Sequence, residues 1–218
     1  FVVRITILIH HLLGWKLKRL KVSDLISSIR SALCKGGNPS SDFDLNPNFT
    51  KPTDRVLRPA GVLAPVIIRN GVAELILTKR SSSLKHHPGQ IAFPGGKQDE
   101  NDTDVVAAAL REAREEIGLP TDLVEVLGTL PSHETVTGFQ VTPVIGLVRE
   151  EFNLVPERGE VEEVFCVPLS HVLNAENFCI HSRRWRGEVR SYFAVPYGPY
   201  YIWGATARML RAWTDKMN

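Results

Sequence analysis

The chain has 218 residues, 43% of them hydrophobic, and its 26 Lys and Arg residues nearly balance 24 Asp and Glu residues, leaving a net charge of +2. This length and apolar content are sufficient for one sizeable buried core. So small a charge excludes the strongly basic surface typical of nucleic-acid binding, and we expect no nucleic-acid partner.

Residues 1–56 are predicted to form an extension before the main domain. Its apolar start, as far as Trp15, is too short to span a bilayer, and basic residues follow the apolar run, the reverse of a secretory signal. The chain also lacks an initiating Met. Residues 1–22 are therefore interpreted as a fragment end, a processed or artefactual segment, or a weak membrane-surface anchor; we expect no strong membrane association.

A short amphipathic helix is predicted to follow, capped by Ser23 and carrying Leu25, Ile26, Ile29 and Leu33 on one face. Residues 35–54 are rich in Gly, Pro, Ser and Asn and are predicted to be a linker. On this interpretation, a protein lacking about the first 50 residues keeps its activity.

Residues 57–218 are predicted to form one domain of alternating strands and helices. Apolar runs predict strands at 61–69, 73–79, 123–131, 139–149, 163–167 and 189–195, and helical periodicity predicts helices at 103–117 and 203–215. Asn70 and Gly71 predict a tight hairpin between the first two strands. The small residues that follow Trp203 predict close packing of the last helix against the sheet, without a functional site. The fold class expected is α/β, an α/β/α sandwich around a mixed β-sheet.

Three carboxylates are placed on one face of the first of these helices. Glu112, Glu115 and Glu116 have the i, i+3, i+4 spacing that brings side chains together within one turn, where like charges repel. A solvated acidic face is the ordinary explanation of such a run. However, the same face continues one turn earlier as Ala108 and Ala109, which predicts a position at the edge of a packed region. A divalent cation such as Mg²⁺, which prefers oxygen ligands, would relieve the repulsion.

A glycine loop precedes this helix. Phe93-Pro94-Gly95-Gly96 ends an apolar stretch, and its glycines allow a sharp turn and a close approach. Loop and helix together resemble the Nudix box, G-x5-E-x7-R-E-U-x-E-E-x-G-U, where U is aliphatic. The helical half matches from Arg111 to Leu119 when Ala113 is accepted as U. The loop half departs, because Asp102 stands at the position of the first Glu and one additional residue separates Gly96 from Arg111.

A second motif covers the segment before the box. Leu77-Thr78-Lys79-Arg80-Ser81, then Lys85, Gly89 and Phe93-Pro94-Gly95-Gly96, resembles the coenzyme A diphosphatase branch of the Nudix family. Its pattern is roughly L-L-T-x-R-S/A-x3-R-x3-G-x3-F-P-G-G. Lys85 stands where the branch has Arg, which keeps the charge and loses the bidentate fork.

The resemblance implies the roles of individual residues. Glu112, Glu115 and Glu116, with the backbone carbonyl of Gly95 or Gly96, are expected to bind Mg²⁺ or Mn²⁺, and Arg111 is expected to pair with a glutamate and orient it. Arg80 and Lys85 are expected to contact substrate phosphates. The predicted catalytic residues are therefore Arg111, Glu112 and Glu115. The group that deprotonates water stays open between Glu112 and a later glutamate, namely Glu160, Glu162 or Glu163.

The function implied is hydrolysis of the diphosphate of coenzyme A or its thioesters to 3′,5′-ADP and 4′-phosphopantetheine or its acyl form. Alternatives are another nucleoside diphosphate derivative, such as an ADP-sugar or a dinucleotide, and a non-catalytic nucleotide-binding module. The intact acidic helix argues against the last. A small-molecule substrate and a possible homodimer are expected. Cys34, Cys166 and Cys179 lack metal-ligand spacing, which favours reduced thiols in the cytoplasm or a mitochondrial matrix.

Overall fold

The structure is a computed structural model that describes residues 22–49, 51, 54–185 and 187–218. The predictions for residues 1–21 lie outside the described residues. The helices are α1 (Val22–Cys34), α2 (Val105–Ile117), α3 (Leu169–Val172) and α4 (Gly204–Met217). The strands are β1 (Ser40–Ser41), β2 (Arg58–Arg69), β3 (Val72–Arg80), β4 (Ile91–Ala92), β5 (Gly95–Lys97), β6 (Val124–Thr129), β7 (His133–Glu134), β8 (Phe139–Val148), β9 (Val161–Pro168), β10 (Cys179–Trp185) and β11 (Glu188–Ala194).

The main sheet is mixed, as predicted. Within the described residues, its nine strands follow the order β1-β7-β8-β2-β3-β4, with β5 added to β2, β6 to β8 and β9 to β3. Strand β2 runs parallel to β8 and antiparallel to β3. The predicted hairpin between β2 and β3 is confirmed: Asn70 and Gly71 have φ angles of 50° and 75°, the left-handed conformation that such a two-residue turn requires.

Both faces of this sheet are covered, because side chains alternate between the faces along each strand. Leu63 and Ile67 of β2 are buried against Ala113 and Ile117 of α2. On the opposite face, a second cluster contains residues of α1 and α4, among them the fully buried Trp213. Burial of each large apolar side chain contributes about 1.5–3 kcal/mol. The α/β/α arrangement expected from the sequence is therefore confirmed.

The described part of the N-terminal region packs on this domain, which differs from the expectation of a free linker. Ile29 of α1 is 0% exposed and belongs to the core cluster that includes α4. Strand β1 pairs with β7, and Ser40 accepts or donates a 2.9 Å hydrogen bond with Nδ1 of the buried His133. Composition alone does not reveal these contacts, since they depend on a distant strand. The domain boundary at residue 56 stays a prediction.

A small antiparallel sheet, β10 and β11, lies next to α4. Its first strand was not predicted, because the sequence Cys-Ile-His-Ser-Arg-Arg-Trp lacks a continuous apolar pattern. Among the described residues, no helix has the length and apolar character needed to cross a lipid bilayer.

Candidate active site

Helix α2 is fixed at both ends and against the sheet. Asp104 caps its N-terminus by accepting a 2.8 Å hydrogen bond from the backbone N–H of Ala107, and Gly118, with φ 72°, ends it. A Cβ on Gly61 of β2 would lie 1.9 Å from the carbonyl oxygen of Val105, so glycine permits the close contact between strand and helix. The acidic residues of the last turns are thereby held at a defined place beside the sheet.

Glu116 is the most deeply buried of the three predicted carboxylates, with 4% of its surface exposed. Its Oε2 accepts a 3.3 Å hydrogen bond from the backbone N–H of Gly95. Burial, together with the smaller effect of the negative charge of Glu112, raises the pKa of Glu116 to about 8, against the effect of this hydrogen bond. A buried carboxylate in these surroundings is costly to ionise without a cation close by.

Glu112 lies directly against the glycine loop. A Cβ on Gly96 would stand 2.5 Å from Oε1 of Glu112, so a side chain at position 96 would displace the carboxylate. Burial raises the pKa of Glu112, while the adjacent Arg111 opposes that shift. Gly96 and Glu112, predicted from separate halves of the motif, are therefore brought together.

Arg111 connects the loop to the acidic face of α2. Its Nη1 donates to Oε1 of Glu112 and to Oε2 of Glu115, both at 3.0 Å, and its Nη2 donates to the backbone carbonyl of Lys97 at 3.3 Å. These contacts have the form predicted for Arg111, namely a guanidinium that holds glutamates in place. Glu115 is more exposed than the other two carboxylates of the helix, with 52% of its side chain accessible.

Asp102 makes the strongest contact with Arg111, a role that the sequence did not assign. Its two carboxylate oxygens accept from Nε and Nη2 of Arg111 at 3.0 and 2.9 Å. The hydrogen bonds to Arg111 hold the pKa of Asp102 below its ordinary value. The available signal was an acidic residue six positions after Gly96, although the longer spacing to Arg111 obscured it.

Among the residues that the structure describes, no three His, Cys, Asp or Glu side chains converge as a preformed cation site. The reason is visible in the partners: Glu115 faces Arg111, whereas Glu116 faces the glycine loop. The donor set nevertheless fits Mg²⁺ or Mn²⁺, because its side chains offer only oxygens and two of them carry raised pKa values through burial.

Arg80 and Lys85 have different surroundings. Arg80 ends β3, and its positive charge lowers the pKa of the buried Glu116. Within the described part of the chain, Nε of Arg80 is buried without a hydrogen-bond partner. Lys85 is exposed on the loop that follows, together with His86 and His87. Arg80 therefore acts electrostatically on Glu116, whereas Lys85 lies on the surface of the adjoining loop.

The three later glutamates have different surroundings. Glu162 forms a 2.6 Å ion pair with Lys79, and Glu163 accepts a 2.6 Å hydrogen bond from the hydroxyl of Tyr200. Glu160 is exposed, and its charge contributes to the raised pKa values of Glu112 and Glu116. Of these three candidates, Glu160 is therefore the one whose charge acts on both Glu112 and Glu116 of α2.

Comparison with known proteins agrees with this geometry. The NUDIX domain family matches residues 58–186. Proteins named uncharacterized Nudix hydrolase NudL from Enterobacter sp. (strain 638) and Escherichia coli O7:K1 (strain IAI39 / ExPEC) are 42% and 43% identical over 154 residues, 71% of this chain and 80% of each relative. The solved Nudix hydrolase RenU from M. smegmatis is 29% identical, with a TM-score of 0.45 over 53% of this chain and 73% of its own. The family match and the NudL relatives show that the chain belongs to the Nudix hydrolase family.

Proposed function

We propose that this Nudix hydrolase cleaves the diphosphate of coenzyme A or its thioesters, releasing 3′,5′-ADP and 4′-phosphopantetheine or its acyl form. The observation that carries the proposal is that Arg80, the arginine of the Leu77–Gly96 motif, lies close enough to the buried Glu116 for its positive charge to lower the pKa of that carboxyl. A cation next to an acidic cluster is the arrangement expected where phosphates approach bound metal ions. NudL relatives are named as hydrolases without a stated substrate, so the substrate rests on this motif and its geometry.

The acidic cluster is proposed to hold Mg²⁺ or Mn²⁺ through Glu112, Glu115, Glu116 and the backbone of Gly96. When bound, the metal supplies charge neutralisation for the phosphoryl oxygens during in-line attack by water. Binding requires Glu115 to exchange its partner Arg111 for the cation, which its exposure permits. The raised pKa values of Glu112 and Glu116 mean that metal binding and loss of protons are coupled.

Arg111 is proposed as a positioning residue. Its guanidinium is held by the two oxygens of Asp102 and leaves Nη1 for Glu112 and Glu115. A fork fixed on one side in this way keeps Glu112 oriented on the other side, and it holds Glu115 until the cation binds. Proton abstraction from water is assigned to Glu112 or Glu160, because Glu162 and Glu163 already bind Lys79 and Tyr200.

Substrate contact is proposed for Arg80 and for the loop after it. The loop returns to Arg80 through hydrogen bonds from the N–H of Arg80 to the carbonyl of Gln90 and from the N–H of Gly89 to the carbonyl of Arg80. Lys85 lies on this closed loop, exposed to an approaching ligand. Coenzyme A differs from ADP-ribose in its 3′-phosphate, which gives these cations an additional anionic group to bind.

The experiment is substrate preference in the variant Arg80→Ala, with Lys79→Ala as the matched control. Loss of a charge-assisted contact costs about 1.5–3 kcal/mol, or roughly ten- to more than a hundred-fold in kcat/KM. We expect the wild type to prefer coenzyme A over 3′-dephospho-coenzyme A and Arg80→Ala to lose that preference. Lys79 is the adjacent residue and pairs with Glu162, so its removal leaves the preference intact.

Equal cleavage of the two substrates by the wild type contradicts the coenzyme A proposal. Faster cleavage of ADP-ribose or a dinucleotide supports the alternative within the Nudix family. The homodimer, the absence of nucleic-acid binding and the cytoplasmic or mitochondrial compartment stay predictions.

A further inference from the structure

Four aromatic rings form a cluster between the β10–β11 sheet and the segment before α4. The ring of Tyr201 lies 5.9 Å from that of His181 and 6.4 Å from that of Trp203, with interplanar angles of 17° and 29°. Tyr192 contacts both sides of the cluster: its ring lies 5.0 Å from Trp203 and 6.4 Å from His181. We refer to His181, Tyr192, Tyr201 and Trp203 as the aromatic cluster.

Hydrogen bonds hold these rings in place. The Tyr201 hydroxyl lies 2.6 Å from Nδ1 of His181 and donates to the Tyr192 hydroxyl at 3.3 Å. Burial raises the pKa of Tyr201, so its hydroxyl stays protonated at neutral pH. The side of the cluster toward solvent nevertheless remains open, because His181 is exposed and Tyr201 is 39% exposed. The cluster is therefore an ordered surface and differs from the enclosed core beneath the sheet.

A cation accompanies the rings. The guanidinium carbon of Arg183 lies 4.5 Å from the centre of the Trp203 ring. Arg183 is exposed and shares its strand with His181, two positions earlier, so the two side chains project from the same face of β10. Arg184, the next residue, belongs to the opposite face. An open surface of planar rings with a guanidinium beside them has the chemistry that binds a planar aromatic group carrying hydrogen-bond acceptors.

Hydrogen bonds connect the start of α4, next to the aromatic cluster, to the strand end that carries Arg80. Trp203 immediately precedes α4, and Thr206 in its first turn donates a 3.0 Å hydrogen bond to the carbonyl of Ile91. The preceding carbonyl, that of Gln90, accepts from the N–H of Arg80. Two consecutive residues thus connect the start of α4 to the arginine beside the acidic cluster.

We propose that the aromatic cluster, with Arg183, binds the adenine base of the substrate's nucleotide half while the diphosphate lies at α2. This inference rests on the proposed function, since it assigns a place to one part of that substrate. The rings offer stacking surfaces for a purine, and the Arg183 guanidinium offers donors to its ring nitrogens. For Trp203, this proposal adds a binding role to the close packing that the sequence predicts at the start of the last helix.

The test is binding of adenosine 3′,5′-bisphosphate to the full chain without metal, measured by titration calorimetry and by saturation-transfer NMR on the adenine protons. Variants are Tyr201→Leu and Arg183→Gln, and Arg184→Gln is the matched control with the same charge change on the other face. We expect Tyr201→Leu to weaken binding about ten-fold or more, since base–aromatic stacking contributes about 1–3 kcal/mol. Arg183→Gln should also weaken binding, whereas Arg184→Gln should change the affinity less than about two-fold. Thermal melting verifies the folding of each variant.

Equal affinity of Arg183→Gln and Arg184→Gln, together with unchanged affinity of Tyr201→Leu, overturns the assignment. The assignment is also overturned if size-exclusion chromatography shows a dimer that these variants dissociate while their affinity for the nucleotide is unchanged. The surface would then join two copies of the chain. Coenzyme A turnover separates the two proposals. A wild type that binds the nucleotide through these residues but does not cleave coenzyme A keeps the adenine site and refutes the proposed function. If the wild type cleaves coenzyme A and the variants have the same KM as the wild type, the adenine site is refuted and the proposed function stands.

Discussion

Replacement of Glu116 by Gln is expected to make the metal-free protein more stable at neutral and alkaline pH while abolishing most of its activity. Glu116 is 4% exposed, and burial raises its pKa from 4.5 to about 8. The folded state binds the proton of Glu116 more tightly than the unfolded state does. Ionisation of Glu116 therefore does not lower the free energy of unfolding below pH 4.5, and lowers it progressively as the pH rises toward 8. At about 1.4 kcal/mol per pKa unit the full shift corresponds to about 5 kcal/mol, and relaxation of the site reduces the expected effect to about 2–5 kcal/mol.

The assay is urea unfolding in EDTA at pH 5 and pH 8.5, followed by the same measurement with Mg²⁺. Wild-type stability should fall between the two pH values, whereas that of Glu116→Gln should fall by about 2–4 kcal/mol less. Glu115→Gln is the control, since its exposed ion pair contributes about 0–1 kcal/mol. Mg²⁺ should stabilise the wild type by mass action and stabilise Glu116→Gln much less. Identical pH dependence of wild type and Glu116→Gln would refute the claim that this carboxylate is costly to ionise.

Three further substitutions test other parts of the account. The lysine of Arg111→Lys cannot bind Asp102 through two donors and also reach a glutamate. Turnover should therefore fall at least about ten-fold, with little change in melting temperature. An unchanged kcat would contradict the positioning role of Arg111. Gly96→Ala places a Cβ 2.5 Å from Oε1 of Glu112, and Mg²⁺ titrations of activity should show weaker metal binding, whereas wild-type titration curves would argue against that contact. Ile29→Ala should lower the free energy of unfolding by about 2–5 kcal/mol; a change below about 0.5 kcal/mol would indicate that α1 does not stabilise the domain.

The packing of α1 bears on the stability of a protein that lacks about the first 50 residues, whose retained activity stays a prediction. Ser40 and Ser41 pair with β7, and Ile29 belongs to the core cluster that includes α4. Removal of residues 1–49 would expose the core surface that α1 covers and leave the outer edge of β7 without its partner. Reduced stability of that truncated protein is therefore the expected outcome.

The sheet and helix α2 were predictable because their patterns are local. Strand β3 has an apolar centre, residues 75–77, after an Asn-Gly turn, and α2 combines a carboxylate cap at Asp104 with a glycine stop at Gly118. Strands β1 and β7 have two residues each and form only because a distant partner supplies hydrogen bonds. Such pairing leaves no periodic signal in either segment.

The candidate site shows the same division. Spacing along a helix was sufficient to group Glu112, Glu115 and Glu116, because side chains four residues apart share a face. Their unequal burial was not predictable, since it depends on where the glycine loop crosses the end of α2. The pairing of Asp102 with Arg111 likewise depends on the shape of a loop one residue longer than the family pattern.

The most direct measurement is product analysis after incubation of the purified chain with coenzyme A, 3′-dephospho-coenzyme A, ADP-ribose and a dinucleotide, each with Mg²⁺ or Mn²⁺. The account predicts that coenzyme A is cleaved fastest, into 3′,5′-ADP and 4′-phosphopantetheine in equal amounts, and that Glu116→Gln loses this activity by orders of magnitude. Cleavage of ADP-ribose or the dinucleotide in preference to coenzyme A would contradict the assigned substrate, and a Glu116→Gln rate close to that of wild type would contradict the assigned site.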